Sequence, residues 1–219
     1  MEPGASVKIW SVADAVQRAA ALAALPQRTI IGIAGAPGSG KSTLSAAIAA
    51  AVPAAVIVPM DGFHMLNEAL VELGRRNRKG APDTFDVAGY VTMLRRLRDQ
   101  QPDEDVPCPL YDRALSEPLD DAITVRGSTR LVITEGNYLL HDQLGWEQVR
   151  PLLDEVWFVD VPDEVRVPRL IARHIYFGKS AEAAQEWVTR SDEANARLVK
   201  PTRERADAAV ELDDWPRRP

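Results

Sequence analysis

Apolar residues along this chain fall into two kinds of pattern, short continuous runs and longer stretches with helical spacing. Continuous apolar runs are typical of parallel strands that are covered on both faces of a sheet. Such runs occupy residues 28–36, 54–60, 130–135, 155–161 and 208–212. The pattern therefore predicts five buried strands.

Helical patterns lie between these runs. Stretches rich in helix-forming residues occupy positions 11–25, 41–52, 86–99, 146–153, 163–175 and 180–199. The alternation predicts an α/β fold with a doubly wound, mainly parallel five-stranded sheet and helices on both faces. Residues 74–85 and 100–118 are charged or proline-rich and are predicted to be irregular. Loops of this length in a compact domain usually carry function.

Composition limits the classes of function that fit the chain. Its 219 residues fit one domain, and 46% hydrophobic and 26% charged residues are typical of a globular protein. A net charge of −6 argues against a nucleic-acid partner, and no apolar run is long enough to cross a bilayer. With one cysteine and no signal-peptide pattern, the sequence predicts a cytoplasmic protein without disulfides or a membrane partner.

The most specific local pattern is GAPGSGKS at residues 35–42, which follows the first predicted strand and precedes a helix. It matches G-x-x-x-x-G-K-S/T, the phosphate-binding loop, or P-loop, in its required context. Glycines let backbone N–H groups turn toward phosphate oxygens, while Lys41 reaches the β- and γ-phosphates and Ser42 binds Mg²⁺. We therefore predict nucleoside triphosphate and Mg²⁺ as cofactors. The predicted nucleotide-binding residues are Gly35, Ala36, Pro37, Gly38, Ser39, Gly40, Lys41, Ser42 and Thr43.

Two acidic residues follow predicted strands. Asp61 comes after VIVPM and Glu135 after RLVIT, so both carboxylates are expected at the carboxyl edge of the sheet, where ligands of parallel sheets bind. A kinase needs one carboxylate to accept the proton of the attacking hydroxyl and acidic groups near its metal ion. We predict the first role for Asp61 and the second for Glu135, the alternative being that both are turn formers or helix caps.

With GAPGSGKS, MDGFHM and VITEGNYLL in this order, the chain resembles the superfamily of P-loop kinases that includes uridine kinase, bacterial-type pantothenate kinase and phosphoribulokinase. RKGAPDTFD, PLYDR and RLIARH most resemble a bacterial subgroup of nucleoside-kinase-like proteins, some labelled fructose-transport kinases. The resemblance implies transfer of the ATP γ-phosphoryl group to an alcohol, with Asp61 as the base and Lys41 in the catalytic set. The resemblance runs from about residue 29 to 212, and with the chain length it predicts a single P-loop kinase domain over residues 1–219.

The same resemblance assigns further residues and segments. Phe63 and His64 would line the acceptor pocket, where this chain departs from the usual uridine kinase pattern. Glu135 is a candidate to bind the substrate as well as the metal ion. Arg203 lies in a loop that edges the adenine base in this superfamily. Asp86, Tyr111 and Arg113 match substrate-side positions. The implied segments are an N-terminal helical extension (1–28), acceptor-side loops and a helix (74–118), and a lid with C-terminal helices (163–199).

Three arginines are spaced along one face of the predicted helix at 163–175. Arg166, Arg169 and Arg173 stand at i, i+3 and i+7. In P-loop kinases a lid arginine stabilises charge on the transferring phosphoryl group, and we predict this catalytic role for Arg169 and Arg173, with Arg166 a bystander among acidic neighbours. The alternative is an ordinary solvated helix face. The basic run at 75–79 is likewise either a solvated loop or a flap that guides the acceptor.

The leading hypothesis is a kinase that acts on the hydroxyl of a nucleoside, a pantothenate-like compound or a sugar. Two alternatives stay open, a P-loop regulatory ATPase without a small-molecule acceptor and a nucleoside monophosphate kinase. The sequence leaves the acceptor unidentified, and because related kinases are often dimers it leaves a homodimer open.

Overall fold

A computed structural model describes residues 7–212 of the chain. The first six residues of the predicted N-terminal extension, and the last seven of the predicted single domain, lie outside the described residues. Within the described range the strands are β1 Lys8–Trp10, β2 Thr29–Ala34, β3 Ala55–Ile57, β4 Val106–Asp112, β5 Glu117–Val125, β6 Leu131–Gly136, β7 Glu155–Asp160 and β8 Ala208–Glu211. The α-helices are α1 Val12–Ala23, α2 Lys41–Ala51, α3 Asn67–Glu72, α4 Val87–Asp99, α5 Asp163–Tyr176, α6 Ala181–Trp187 and α7 Glu193–Val199.

Six of these strands form one sheet in the order β1-β8-β7-β2-β6-β3, and every pairing in it is parallel. The predicted doubly wound, parallel α/β sheet is confirmed. The predicted count of five strands is short by one, because β1 is only three residues long and pairs at the edge with β8 alone. A run that short gives no detectable periodicity.

The central strands carry apolar side chains on both faces, as their continuous apolar runs predict. All six residues of β2 and all six of β6 are buried. Because side chains alternate along a strand, Ile30 joins one core with Tyr90 and Trp146, while Ile31 joins a second core with Ile48 of α2. Helices and loops thus cover both faces, and the carboxyl ends of β2, β3 and β6 meet at one edge.

The stretch at 100–118, predicted to be irregular, contains β4 and the start of β5, which form an antiparallel hairpin. Strands β4 and β5 pair with each other in a separate two-stranded sheet, with a register shift between Cys108 and Leu110. Pro107 and Pro109 both lie in β4. A two-stranded ribbon has open edges, so the missing N–H groups of proline cost little there, although proline in a sequence argues against a strand.

Three other predicted segments differ in detail. The stretch at 54–60 is a strand only over β3, followed by a 3₁₀ turn, Met60–Phe63. The helix predicted at 146–153 is two 3₁₀ turns, because Pro151 at the start of the second cannot continue an α-helix. The helix at 180–199 is divided into α6 and α7 by a π-helical turn, Val188–Asp192. Among the described residues, no helix is both long and apolar enough to cross a membrane.

Candidate active site

The P-loop joins β2 to α2 and owes its shape to glycines. Gly38 and Gly40 have φ angles of +77° and +97°, in the left-handed region that glycine adopts without a steric penalty. Gly38 also lies directly under α5, because a Cβ placed there would come within 2.6 Å of Cγ of Leu170. The loop ends where α2 begins, at Lys41, so the positive end of that helix faces the loop.

Lys41 is buried at the centre of the site. Its ammonium donates hydrogen bonds to the carbonyl oxygens of Gly35 at 3.0 Å and Ala36 at 3.1 Å, and to Oδ1 of Asn137 at 2.8 Å. Burial lowers the pKa of Lys41 to about 8, against the opposing attraction of Glu135 and Asp61. The loop therefore holds a lysine that a phosphate group would favour in its charged form.

Ser42 and Glu135 come together beside this lysine. The Ser42 hydroxyl donates to Oε1 of Glu135 at 2.7 Å, although the two residues are 93 positions apart in the chain. Glu135 is buried. Its burial, and to a smaller extent repulsion from the Asp61 carboxylate, raises the pKa of its carboxyl. A hydroxyl and a carboxylate oxygen side by side are a donor set suited to Mg²⁺, whose charge would also favour the ionised carboxylate.

Asp61 lies in the 3₁₀ turn that follows β3, with its side chain 32% exposed. Nη2 of Arg113, from the loop between β4 and β5, is 3.5 Å from Oδ2 of Asp61. The turn and the hairpin are in close contact, since a Cβ on Gly62 would come within 2.4 Å of the carbonyl oxygen of Pro109. The carboxylate is thus accessible and electrostatically held by one guanidinium.

Aromatic rings pack beside Asp61. The His64 ring lies 4.0 Å from the Phe85 ring and 4.5 Å from the Tyr111 ring, measured between centroids. Nδ1 of His64 is 2.8 Å from the carbonyl oxygen of Asp61 and must donate to it, because a carbonyl only accepts. Burial lowers the pKa of His64, which favours the neutral ring with Nε2 as an acceptor. Phe63 packs on Tyr90 at 5.1 Å.

The three arginines of α5 have different surroundings. Arg173 is half-buried, and its pKa is lowered by burial and then by Arg113, while Asp192, Asp61 and Glu135 raise it. It therefore faces the same cluster of charges as Lys41. Neither Arg169 nor Arg173 forms a hydrogen bond or ion pair within residues 7–212. Of the two arginines predicted to be catalytic, Arg173 is distinguished by its interaction with the charges of this cluster.

Arg166 is fully buried, which the prediction of a bystander missed. Its guanidinium donates to the carbonyl oxygen of Pro37 in the P-loop at 3.0 Å and to Oδ1 of Asp163 at 2.8 Å, and it pairs with Glu193 of α7. The acidic neighbour Asp163 was visible in the sequence, whereas Pro37 and Glu193 lie far away along the chain. Arg166 therefore joins the P-loop to two helices of the predicted lid.

Two predicted residues lie at the periphery. Nε of Arg203 is 2.6 Å from Oδ2 of Asp160, the last residue of β7, which holds the predicted adenine-side loop against the sheet. Asp86 is exposed, and its carboxylate accepts a hydrogen bond from the Gly89 N–H at 2.9 Å as the cap of α4. The structure therefore engages Asp86 in capping rather than in the cluster around Asp61.

Asn137, which the sequence reasoning omitted, follows Glu135 in the EGNY motif and contacts Lys41.

Comparison with known proteins finds a matching family and several relatives. The family described as the Phosphoribulokinase / Uridine kinase family matches residues 30–213. The chain is 36% identical to the uncharacterized protein YggC of Escherichia coli (strain K12), over 86% of this chain and 79% of that protein. It is 34% identical to a putative uridine kinase of Schizosaccharomyces pombe, over 88% and 86% of the two chains. A crystal structure described as a putative fructose transport system kinase from Silicibacter sp. TM1040 superimposes with a TM-score of 0.82 at 37% identity, covering 94% of this chain and all of that one.

Proposed function

Because the chain belongs to the phosphoribulokinase and uridine kinase family and is an ATP-dependent kinase, we propose that it transfers the γ-phosphoryl group of MgATP to a hydroxyl of a nucleoside, a pantothenate-like compound or a sugar. The observation that carries this proposal is the convergence at one edge of the sheet of a P-loop lysine, a buried glutamate and an accessible aspartate. Both carboxylates attract the Lys41 ammonium, and Asp61 repels Glu135.

The P-loop would hold the nucleotide. Residues 35–43 offer backbone N–H groups at the start of α2, and Lys41 exchanges its contacts with loop carbonyls for the β- and γ-phosphates. Ser42 and Glu135 would hold Mg²⁺, which neutralises phosphate charge when bound. Arg203 would border the base. The order of β2, the loop and α2 supports this arrangement.

Asp61 would act as the general base. Its carboxylate is accessible to an acceptor, whereas that of Glu135 is buried and hydrogen-bonded to Ser42. The acceptor hydroxyl would give its proton to Asp61 as its oxygen attacks the γ-phosphorus and the bond to ADP breaks. Phe63, His64, Tyr111 and Arg113 would surround the acceptor, with His64 Nε2 accepting a hydrogen bond from one of its hydroxyls.

The lid would close over the reacting groups from α5. Arg173 faces the charge cluster and would stabilise negative charge on the transferring group, and Arg169 would join it on closure. We assign residues 163–199 to this lid and residues 74–118 to the acceptor side, within a single domain. The buried Arg166 marks where this segment joins the rest of the domain, because it donates to Pro37 of the P-loop and pairs with Glu193 of α7.

Replacement of Asp61 by Asn tests the base. With an acceptor identified, Asp61→Asn should lower acceptor phosphorylation about 10²- to 10⁴-fold while the affinity for MgATP changes little, because the carboxylate acts on the acceptor. The exposed Asp99, at the end of α4, gives a matched control in Asp99→Asn. Steady-state kinetics with a coupled ADP assay and a separate ATP titration make the measurement. Near-normal turnover of Asp61→Asn would refute the base assignment, and ADP release that no acceptor stimulates would favour a regulatory ATPase.

A further inference from the structure

Lys79 is a buried lysine in the basic run at 75–79, outside the residues with an assigned role. It is 9% exposed, and its ammonium donates to Oδ1 of Asn67 at 2.7 Å and to the carbonyl oxygen of Ser116 at 2.6 Å. Burial lowers the pKa of Lys79, and the nearby Glu117 opposes that shift. Lys79 is therefore buried and hydrogen-bonded, unlike its exposed neighbours at 76–78.

The contacts of Lys79 converge on the turn of the β4–β5 hairpin. Ser116 has a φ of +53°, a conformation that serine adopts rarely. Asn67, at the start of α3, donates its side-chain amide to the same Ser116 carbonyl at 3.2 Å and its backbone N–H to Oε1 of Glu117 at 2.9 Å. β4 and β5 pair only with each other among the described strands. The base of the hairpin is buried in the core at Cys108, so contacts such as these hold its turn.

The hairpin in turn carries acceptor-side residues. The Lys79 ammonium lies over the Tyr111 ring, 5.3 Å from its centroid, and the His64 ring is a second neighbour of that ring at 4.5 Å. Arg113, two residues further along, reaches Asp61. One buried cation thus connects the 75–79 run and α3 to the part of the hairpin that meets Asp61.

The charge on Lys79 has a specific counterpart. Glu117 uses one carboxylate oxygen for Asn67, while its other oxygen, Oε2, is buried and forms no hydrogen bond within residues 7–212. Loss of the lysine would remove the hydrogen bond to the Ser116 carbonyl and the attraction between the ammonium and this carboxylate. A neutral side chain of similar length would fill the space of the lysine but would not hold the hairpin turn in place.

We propose that Lys79 is a positioning residue for the acceptor side of the kinase reaction, holding the β4–β5 hairpin so that Tyr111 and Arg113 face His64 and Asp61. This inference rests on the proposed function, because Lys79 would support the acceptor side of the same active site. It predicts that Lys79 affects the acceptor and leaves nucleotide binding unchanged, since Lys79 contacts no residue of the P-loop.

The first test is a kinetic comparison of Lys79→Met, Lys79→Arg and the wild type. A displacement of about 1 Å at a reacting group costs up to about 100-fold in rate, so Lys79→Met should raise the acceptor KM or lower kcat/KM for the acceptor roughly 10- to 100-fold. The ATP KM should stay within about twofold, and Lys79→Arg should recover part of the loss because it restores the charge. Lys8→Met removes an exposed lysine from β1 and should change nothing. Equal losses for ATP and acceptor, or no loss, would overturn the proposal.

The second test does not require an acceptor. Hydrogen exchange followed by mass spectrometry on the nucleotide-free protein should show faster exchange of residues 110–119 in Lys79→Met, with P-loop peptides unchanged. Glu117→Gln, which keeps the side-chain shape, should give a smaller change in the same peptides and serves where Lys79→Met does not fold. Unaltered exchange in this hairpin would overturn the role of Lys79 even where the wild type phosphorylates an acceptor. A wild type that phosphorylates no acceptor, with the hairpin responding as expected, would instead refute the proposed function alone.

Discussion

The pH dependence of ATP binding follows from the burial of Lys41. In the nucleotide-free protein burial lowers the pKa of this lysine from 10.5 to about 8. Phosphate groups of ATP would favour the protonated amine and raise the pKa again. At any pH at which Lys41 of the free protein is deprotonated, ATP binding must take up a proton. The affinity for ATP therefore falls as the pH rises through about 8.

The size of the effect can be worked from these values. If bound phosphates restore the ordinary lysine pKa, a change from about pH 7 to 9.5 should weaken ATP binding roughly 30-fold, or about 2 kcal/mol. At about pH 8, binding should take up roughly half a proton. The ATP phosphates contribute little over this range, because their last ionisation is near pH 6 to 7.

Isothermal titration calorimetry measures both quantities. MgATP is titrated across this pH range, and near pH 8 in two buffers with different enthalpies of ionisation, which reveals the proton taken up. Lys41→Arg is the matched control, because guanidinium stays charged and its affinity, although weaker, should not vary with pH. A wild-type affinity that is independent of pH, or a parallel decline in Lys41→Arg, would refute the reasoning.

Two further predictions concern stability. Gly38→Ala should cost about 2 kcal/mol or more in the free energy of unfolding and abolish ATP binding, because its Cβ would overlap Leu170 at a positive φ. Gly74→Ala is the matched control, because Gly74 also has a positive φ, +65°, but no atom lies within 4 Å of the new Cβ, and it should cost only about 1 kcal/mol. Equal losses of unfolding free energy for the two variants, measured by urea unfolding, would contradict this. Tyr90→Phe should cost about 1 kcal/mol with kcat little changed, because it removes only the hydrogen bond of the buried phenol to Thr134 at 2.7 Å and keeps the ring that packs on Phe63. A large loss of kcat would contradict this.

Sequence reasoning predicted the part of the site that depends on the edge of a parallel sheet. GAPGSGKS requires a strand before it and a helix after it, and residues that follow neighbouring parallel strands must converge. Ser42 and Glu135 accordingly meet at 2.7 Å across 93 positions of sequence. The catalytic and binding roles of these residues remain predictions.

The parts that the sequence did not reveal depend on long-range packing. Pro107 argues against a strand in sequence terms, yet β4 tolerates it because its ribbon has open edges. In the sequence Lys79 is only one of several charges in a basic run, because its partners Asn67 and Ser116 lie 12 and 37 positions away. Arg166 is similar, because burial against Pro37 cannot be deduced from the spacing along α5.

Acceptor-dependent ADP release by the wild-type protein is the most direct test of the kinase proposal. MgATP is incubated with uridine, cytidine, pantothenate, fructose and related polyols in turn, and the phosphorylated product is identified by mass spectrometry. We expect one of these alcohols to stimulate ADP release well above the rate with water alone and to yield its phosphate ester in equal amount. ADP release that is the same with every alcohol and without any would contradict phosphoryl transfer to a small-molecule hydroxyl.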